Sequence, residues 1–320
     1  MAARGGGRVT FLPTKADWVG ATRRDLLAGA TVAVVALPLA VGFGVASGLG
    51  AASGLVTAIV AGALAAVFGG SSLQVSGPTG AMTVVLVPIV ARHGAGGVLT
   101  VGLLAGVLLL LLAVAKAGRY LRYVPVPVVE GFTIGIAAVI ALQQVPSALG
   151  VPAPHEENVV MAAVAALGEF VGAPRWESVV LAVSVALVML VGARWRPGVP
   201  FSLPAVAVAT LVAQWASLPV ARIGALPAAL PAPSLAFLDL GALWSLLPSA
   251  VAVAALAALE SLLSAAVADG MSVNQRHDPD RELFGQGVAN LVAPLFGGVP
   301  ATAAIARTAV NVRSGATSRL

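Results

Sequence analysis

The chain has 320 residues, 59% of them hydrophobic and 10% charged, with 18 basic and 13 acidic residues for a net charge of +5. A soluble chain is about 25% charged, so a mean hydropathy of +0.98 excludes a soluble enzyme and a nucleic-acid binder, and this wealth of Ala, Val and Leu excludes disorder. What remains is an all-α polytopic membrane protein.

Residues 1–25 read as a polar cytoplasmic segment. Arg4, Arg8, Lys15, Arg23 and Arg24 stand before the first apolar run, with no signal-peptide cleavage site. That bias puts the N-terminus in the cytoplasm and the chain in the cytoplasmic (inner) membrane. Ten spans or half-spans are expected, at 26–48, 52–69, 78–91, 96–115, 125–148, 177–193, 199–216, 243–268, 283–296 and 301–316. Loop charges agree with the even count. Lys116, Arg119, Arg122, Arg194, Arg196, Arg313 and Arg319 fall inside, and the acidic loop with Glu156, Glu157 and Glu169 against Arg175 falls outside.

The turn after the first span holds Gly42, Gly44, Gly48, Gly50 and Gly54, which read as close helix packing. Phe43 among them either walls a cavity or packs in the core. Residues 157–170 are too short to span and read as a helix lying in the outer interface. Residues 217–242 form a connector with Pro219, Pro227, Pro231 and Pro233. It separates a seven-span first repeat (26–216) from a partial second repeat (243–320).

The two parts share a motif. LAAVFGG at 64–70 leads into SSLQVSGPTGAMTVV, and VAPLFGG at 292–298 leads into VPATAAIARTAVNV. The copies open the third and tenth spans, an odd number apart, so the second enters the membrane from the opposite side: an inverted repeat. Pro78 suits a first helical turn, after which Thr79, Gly80 and Ala81 expose unpaired backbone N–H groups at a positive dipole end. Pro300, Ala301, Thr302 and Ala303 repeat the device. Two such ends facing each other make an anion site. The alternative is a pair of ordinary loops between full spans, although 14 and 16 residues are short against a crossing of about 20.

Intramembrane charges are functional candidates by default. Glu260 lies mid-span with Ser261 and, one turn on, Ser264. A lone carboxylate there is protonated, ion-paired or bound to a cation. Glu260 with Ser264 therefore reads as a coupling site for H⁺ or Na⁺, and the competing reading is a structural hydrogen bond. Arg307 stands within two turns of the anion site, to raise anion affinity or to neutralise Glu260, unless it snorkels. Glu130 and Asp269 lie near span ends, where structural pairing serves equally well. His93, His155 and His277 are far apart and there is no cysteine. No metal cluster, cofactor motif or catalytic triad is present, so the chain is not read as an enzyme.

At these residues the sequence resembles the sulfate permease (SulP) family of anion transporters. The resemblance rests on DLLAGATVAVVALPLAVGFGVASGLG (25–50), GLVTAIVAGALAAVFGGSSLQVSGPTGAMTVV (54–85), ALESLLSAAVADGM (258–271) and ELFGQGVANLVAPLFGGVPATAAIARTAVNVRSGA (282–316). It implies a seven-plus-seven inverted-repeat membrane domain with core and gate parts, like that of the uracil permeases. It also implies an anion held by Thr79, Gly80, Ala81, Ala301, Thr302 and Ala303, with Glu260 and Arg307 at the family's acidic and basic positions. Leu39 after Pro38, where many relatives have Gln, resembles a bacterial branch that includes bicarbonate transporters. Family chains continue through four further helices and a STAS domain. A chain ending at Leu320 is expected to lack part of the gate and to show little concentrative uptake by itself.

The expected function is secondary active transport of small inorganic anions, of the sulfate or bicarbonate class. A nucleobase permease of the same fold and a non-transporting membrane fragment are the competing readings. The expected partners are the inorganic anion and the lipid bilayer, with no nucleic acid and with a homodimer left open.

Overall fold

Apolar runs this long become helices because in lipid the backbone has no hydrogen-bond partner but itself. The computed structural model describes residues 11–13, 23–123, 126–152, 156, 158–196, 201–224, 226–272 and 275–319. Arg4, Arg8, Lys15, His155 and Glu157 lie outside the described residues.

Helices α1 (Arg23–Ala46) and α2 (Ala51–Phe68) are joined by a tight turn in which Gly48 and Gly50 take φ of 85° and 90°. The two helices nearly touch through glycine. A Cβ on Gly44 would lie 2.7 Å from the Gly54 nitrogen, and one on Gly54 would strike the Ala40 carbonyl. Close packing therefore explains Gly44 and Gly54, whereas Gly42 has open space beside it.

Helix α3 (Gly80–Val114) contains the expected third and fourth spans, parted at Gly94, whose φ of 64° and ψ of −169° interrupt the helix. The expected fifth span is stepped at Gln144 into α4 (Val126–Gln143) and α5 (Val145–Leu149). The surface helix appears as α6 (Val159–Gly172), capped by the Asn158 side chain, which accepts from the N–H groups of Val160 and Met161. It buries Ala163, Ala166 and Phe170 and exposes Val160, Val164, Leu167 and Val171.

After α7 (Trp176–Trp195) and α8 (Ser202–Trp215) the described residues of the connector run without an α-helix to a short 3-10 turn at Leu240–Ala242. Helix α9 (Leu243–Met271) follows, then α10 (Pro279–Val292), capped by Asp278, and α11 (Ile305–Arg313). Among the described residues, six helical stretches are long and apolar enough to cross a membrane.

The helices sort into two groups. α1, α2, α3, α9, α10 and α11 pack on one another, while α4 to α8 make most of their contacts among themselves. Leu86, Val98, Val101, Leu109, Val253 and Leu283 form the main core where α3, α9 and α10 meet. Between α2 and α10 the contact is made of alanines, Ala61 and Ala65 against Ala289 and Ala293, the small-residue packing that lets membrane helices approach closely.

The lead-ins to α3 and α11 cross in the middle of the first group. Ser76–Gly77 (β1) pairs antiparallel with Thr302–Ala303 (β2), Ser76 opposite Ala303 and Gly77 opposite Thr302. This corrects one expectation. The second half-helix does not begin at Ala301 but at Ile305, because residues 302–303 are extended in this pairing and Ala304 caps the helix with extended dihedrals.

Candidate functional site

A cavity of about 290 Å³ opens where the α3 and α11 N-termini meet α9. Thr79 is the N-cap of α3, and its hydroxyl accepts from the Met82 N–H at 3.4 Å and donates to the Glu260 carboxylate at 3.0 Å. Gly80 and Ala81 follow on the cavity wall. A Cβ on Gly80 would lie 2.5 Å from the Ile140 Cδ1 and 3.1 Å from the Phe43 ring, so a larger residue would push the side chains of α1 and α4 back from this helix end. Phe43 walls the cavity.

On the opposite side Ala303, Ala304, Ile305, Ala306 and Arg307 line the space. The first-turn N–H groups of α11 belong to Ile305, Ala306 and Arg307, and helix geometry leaves such groups without an acceptor in their own helix. Arg307 is 1% exposed. Its Nη2 donates to the Pro78 carbonyl at 2.9 Å, and its buried Nη1 has no hydrogen-bond partner.

The site residues expected from sequence divide into two sets. Phe43, Thr79, Gly80, Ala81, Glu260, Ala303 and Arg307 share the cavity. Ala301, Thr302 and Ser264 do not line it. Ala301 is fully buried, its N–H donating to Asn290 Oδ1 at 2.8 Å and its carbonyl accepting from Asn290 Nδ2 at 2.9 Å. Thr302 Oγ1 lies 2.9 Å from Ser261 Oγ and donates to the Ala257 carbonyl at 3.2 Å. Ser264 Oγ is 2.9 Å from Thr308 Oγ1. These polar groups hold the strand and helix in place, Thr302 from the extended segment and Ser264 from α9.

The α4 face of the cavity was missed. Phe132, Ile136 and Ile140 recur every four residues and form its apolar wall with Phe43 and Leu39. Their spacing marks one helix face, and Thr133 joins it on the cavity, but a helix apolar on nearly every side says little about which face meets a cavity and which meets lipid. A second, larger apolar groove between α7 and α8, lined by Trp176, Val180, Val188 and Val208 among others, contains none of these groups.

Two half-helices that break near each other inside a helical bundle, with their lead-ins crossed as paired strands, are the broken-helix arrangement of an inverted-repeat membrane domain, and the fold is the seven-plus-seven class of the solved relatives given below. Residues 23–320 match the sulfate permease family, and the chain belongs to it. It is 39% identical over 302 residues to the putative sulfate transporter YvdB of Bacillus subtilis, covering 92% of this chain and 57% of that protein. It is 34% identical over 306 residues to the bicarbonate transporter BicA of Synechocystis, covering 92% and 54%. The solved transmembrane domain of a cyanobacterial BicA superposes with a TM-score of 0.83 at 32% identity, over 92% of this chain and 78% of that one. The chain thus spans about half the length of the curated relatives it matches.

Proposed function

We propose that this chain forms the substrate-bearing part of a secondary transporter of small inorganic anions, of the sulfate or bicarbonate class, in a bacterial cytoplasmic membrane. The observation that carries the reading is Arg307. A guanidinium that is 1% exposed, with an unpartnered Nη1 beside a cavity flanked by two helix N-termini, is a site prepared for negative charge. The relatives named above, one a putative sulfate transporter and one a bicarbonate transporter, fit the same ligand chemistry. A nucleobase would need several polar side chains to read its edges, and the α4 wall offers one, Thr133, among Phe132, Ile136 and Ile140.

In this reading Gly80, Ala81 and the first turn of α11 bind the anion through backbone N–H groups, and Arg307 adds a fixed positive charge. Glu260 couples transport to a cation, H⁺ or Na⁺, through its contact with Thr79. A carboxylate facing the anion site repels the anion, and a bound cation relieves that repulsion, so the two bind with mutual benefit. No cofactor is required. The N-terminal segment lies on the cytoplasmic side, and the boundaries at residues 25, 216 and 242 divide it from the first repeat, the connector and the second repeat.

The test is counterflow in liposomes with labelled sulfate and labelled bicarbonate, with and without imposed Na⁺ and pH gradients, on the protein as its gene encodes it. Saturable exchange of either anion that Arg307→Gln weakens supports the assignment. Absence of exchange for every small anion tried overturns it.

A further inference from the structure

One face of α10 carries Glu282, Gln286 and Asn290, one turn apart and 2%, 0% and 0% exposed. None of the three lines the cavity. Polar side chains this deep carry a desolvation cost that hydrogen bonds offset; Gln286 Oε1 has no partner, and what the other groups bond to is informative.

Each rung grips a different part of the two half-helix lead-ins. Glu282 Oε2 accepts from the N–H groups of Gly70 at 2.9 Å and Ser71 at 3.4 Å. Gln286 Nε2 donates to Ser76 Oγ at 2.7 Å and to Glu282 Oε1 at 2.9 Å. Asn290 brackets Ala301 by both its N–H and its carbonyl, and donates further to the Gln286 carbonyl at 2.8 Å. Gln286 therefore holds β1 and Asn290 holds the residue just before β2, on a single rigid helix.

Helix α11 reciprocates along the same lead-in. Asn311 Nδ2 donates to the Leu73 carbonyl at 2.8 Å, and Thr308 Oγ1 accepts from the Val75 N–H at 3.1 Å. The first lead-in is thus fixed on both of its sides, and α10 bonds both lead-ins at once.

We propose that Gln286 and Asn290 are positioning residues for anion binding: they touch no substrate, and they set the spacing and aim of the two N-terminal ends that do. The inference rests on the anion-site reading given above. An anion held by N–H groups from two helix ends feels both only while those ends keep their separation, since such hydrogen bonds weaken steeply with distance and angle. Loosening a rung should therefore lower affinity rather than the rate of conformational exchange.

The experiment measures half-saturation and maximal rate of labelled-sulfate and labelled-bicarbonate exchange for the full protein in liposomes, normalised to inserted protein. Asn290→Asp removes the donor at nearly constant volume, Gln286→Met removes the second rung, and Ser76→Ala removes only the oxygen that rung holds. Half-saturation should rise about three-fold to ten-fold for Ser76→Ala, the range of one hydrogen bond, and at least as much for Gln286→Met and Asn290→Asp, which each lose two. The maximal rate should stay within a factor of about two. Gln286→Met combined with Ser76→Ala should cost no more than Gln286→Met alone, because the bond that Ser76→Ala removes is already broken in that variant. Unchanged half-saturation with a lower maximal rate or lower yield overturns the positioning role. If Asn290→Asp does not insert, Ser76→Ala, a small change on the lead-in, decides alone. An unmodified protein with no saturable exchange sinks the anion-site reading itself, whereas saturable exchange indifferent to all three variants sinks only the role of α10.

Discussion

Thr79 donates its hydroxyl proton to Glu260 across 3.0 Å, tying the cap of one half-helix to the carboxylate of α9. The same hydroxyl oxygen accepts from the Met82 N–H. A threonine has one proton to give, so while it points at Glu260 it cannot point at an anion. A proton or cation on Glu260 frees it. Acid and proposed anion site are therefore one hydrogen bond apart.

From that contact, Glu260→Gln should keep anion binding and exchange while losing the dependence of uptake on a cation gradient. The amide imitates the protonated acid in shape and lack of charge. Uptake into proteoliposomes under imposed pH and Na⁺ gradients reads this directly. Continued gradient-driven accumulation by the variant would mean that the coupling group lies elsewhere.

Thr79→Ser should retain both the cap and the coupling, since the hydroxyl is preserved. Thr79→Val keeps the shape and removes both bonds. It should lower stability by about 1 kcal/mol, the usual value of a lost N-cap, and blunt the cation dependence. Thermal unfolding in detergent and the gradient assay together separate the two effects.

Gly80→Leu should abolish anion binding while leaving insertion intact. Its side chain must enter the space held by Ile140 and Phe43 and cover the α3 N–H groups. Ala301→Leu, the substitution that sequence spacing would favour for the same purpose, should act differently. Ala301 is fully buried in the alanine contact between α2 and α10, so that variant should lose yield and stability. Anion-induced thermal stabilisation and membrane yield, measured for both, discriminate the cases.

Gly54→Ala should destabilise the α1–α2 pair by about 1–3 kcal/mol, the range for overpacking, because its methyl group meets the Ala40 carbonyl. Gly42→Ala, facing open space, should be close to neutral. Thermal midpoints of the two purified variants test the contrast.

Much of this architecture was legible. Apolar run length located the long helices, and the matching FGG motifs with their prolines pointed to the two half-helices, although not to the start of the second. The residues that escaped did so for identifiable reasons. Proline and small residues mark where a helix is interrupted, but Pro300 does not reveal that the next residues pair with Ser76 and Gly77 before the helix restarts at Ile305. That pairing joins segments more than two hundred residues apart, and it is why Ala303 reaches the cavity while Ala301 and Thr302 do not. Ser264 sits one turn from Glu260 in sequence, yet Thr308 on another helix claims its hydroxyl. Glu282, Gln286 and Asn290 showed a four-residue spacing, but only their partners on distant loops reveal what that face holds.

The short strand pair also makes chain length between the FGG motifs and their helices a fixed quantity. Side chains alternate faces along a strand, so adding or removing one residue exchanges inward for outward. A single-residue deletion between Gly70 and Ser76 would put the wrong side chain opposite Ala303 and rotate the start of α3 away from its partner. The 217–239 connector carries no such alternation, and Ser234 is fastened to the core by one backbone hydrogen bond, to Leu295. Inserted epitope tags or fluorophore loops therefore belong in that connector, while the two lead-ins should reject even one extra glycine.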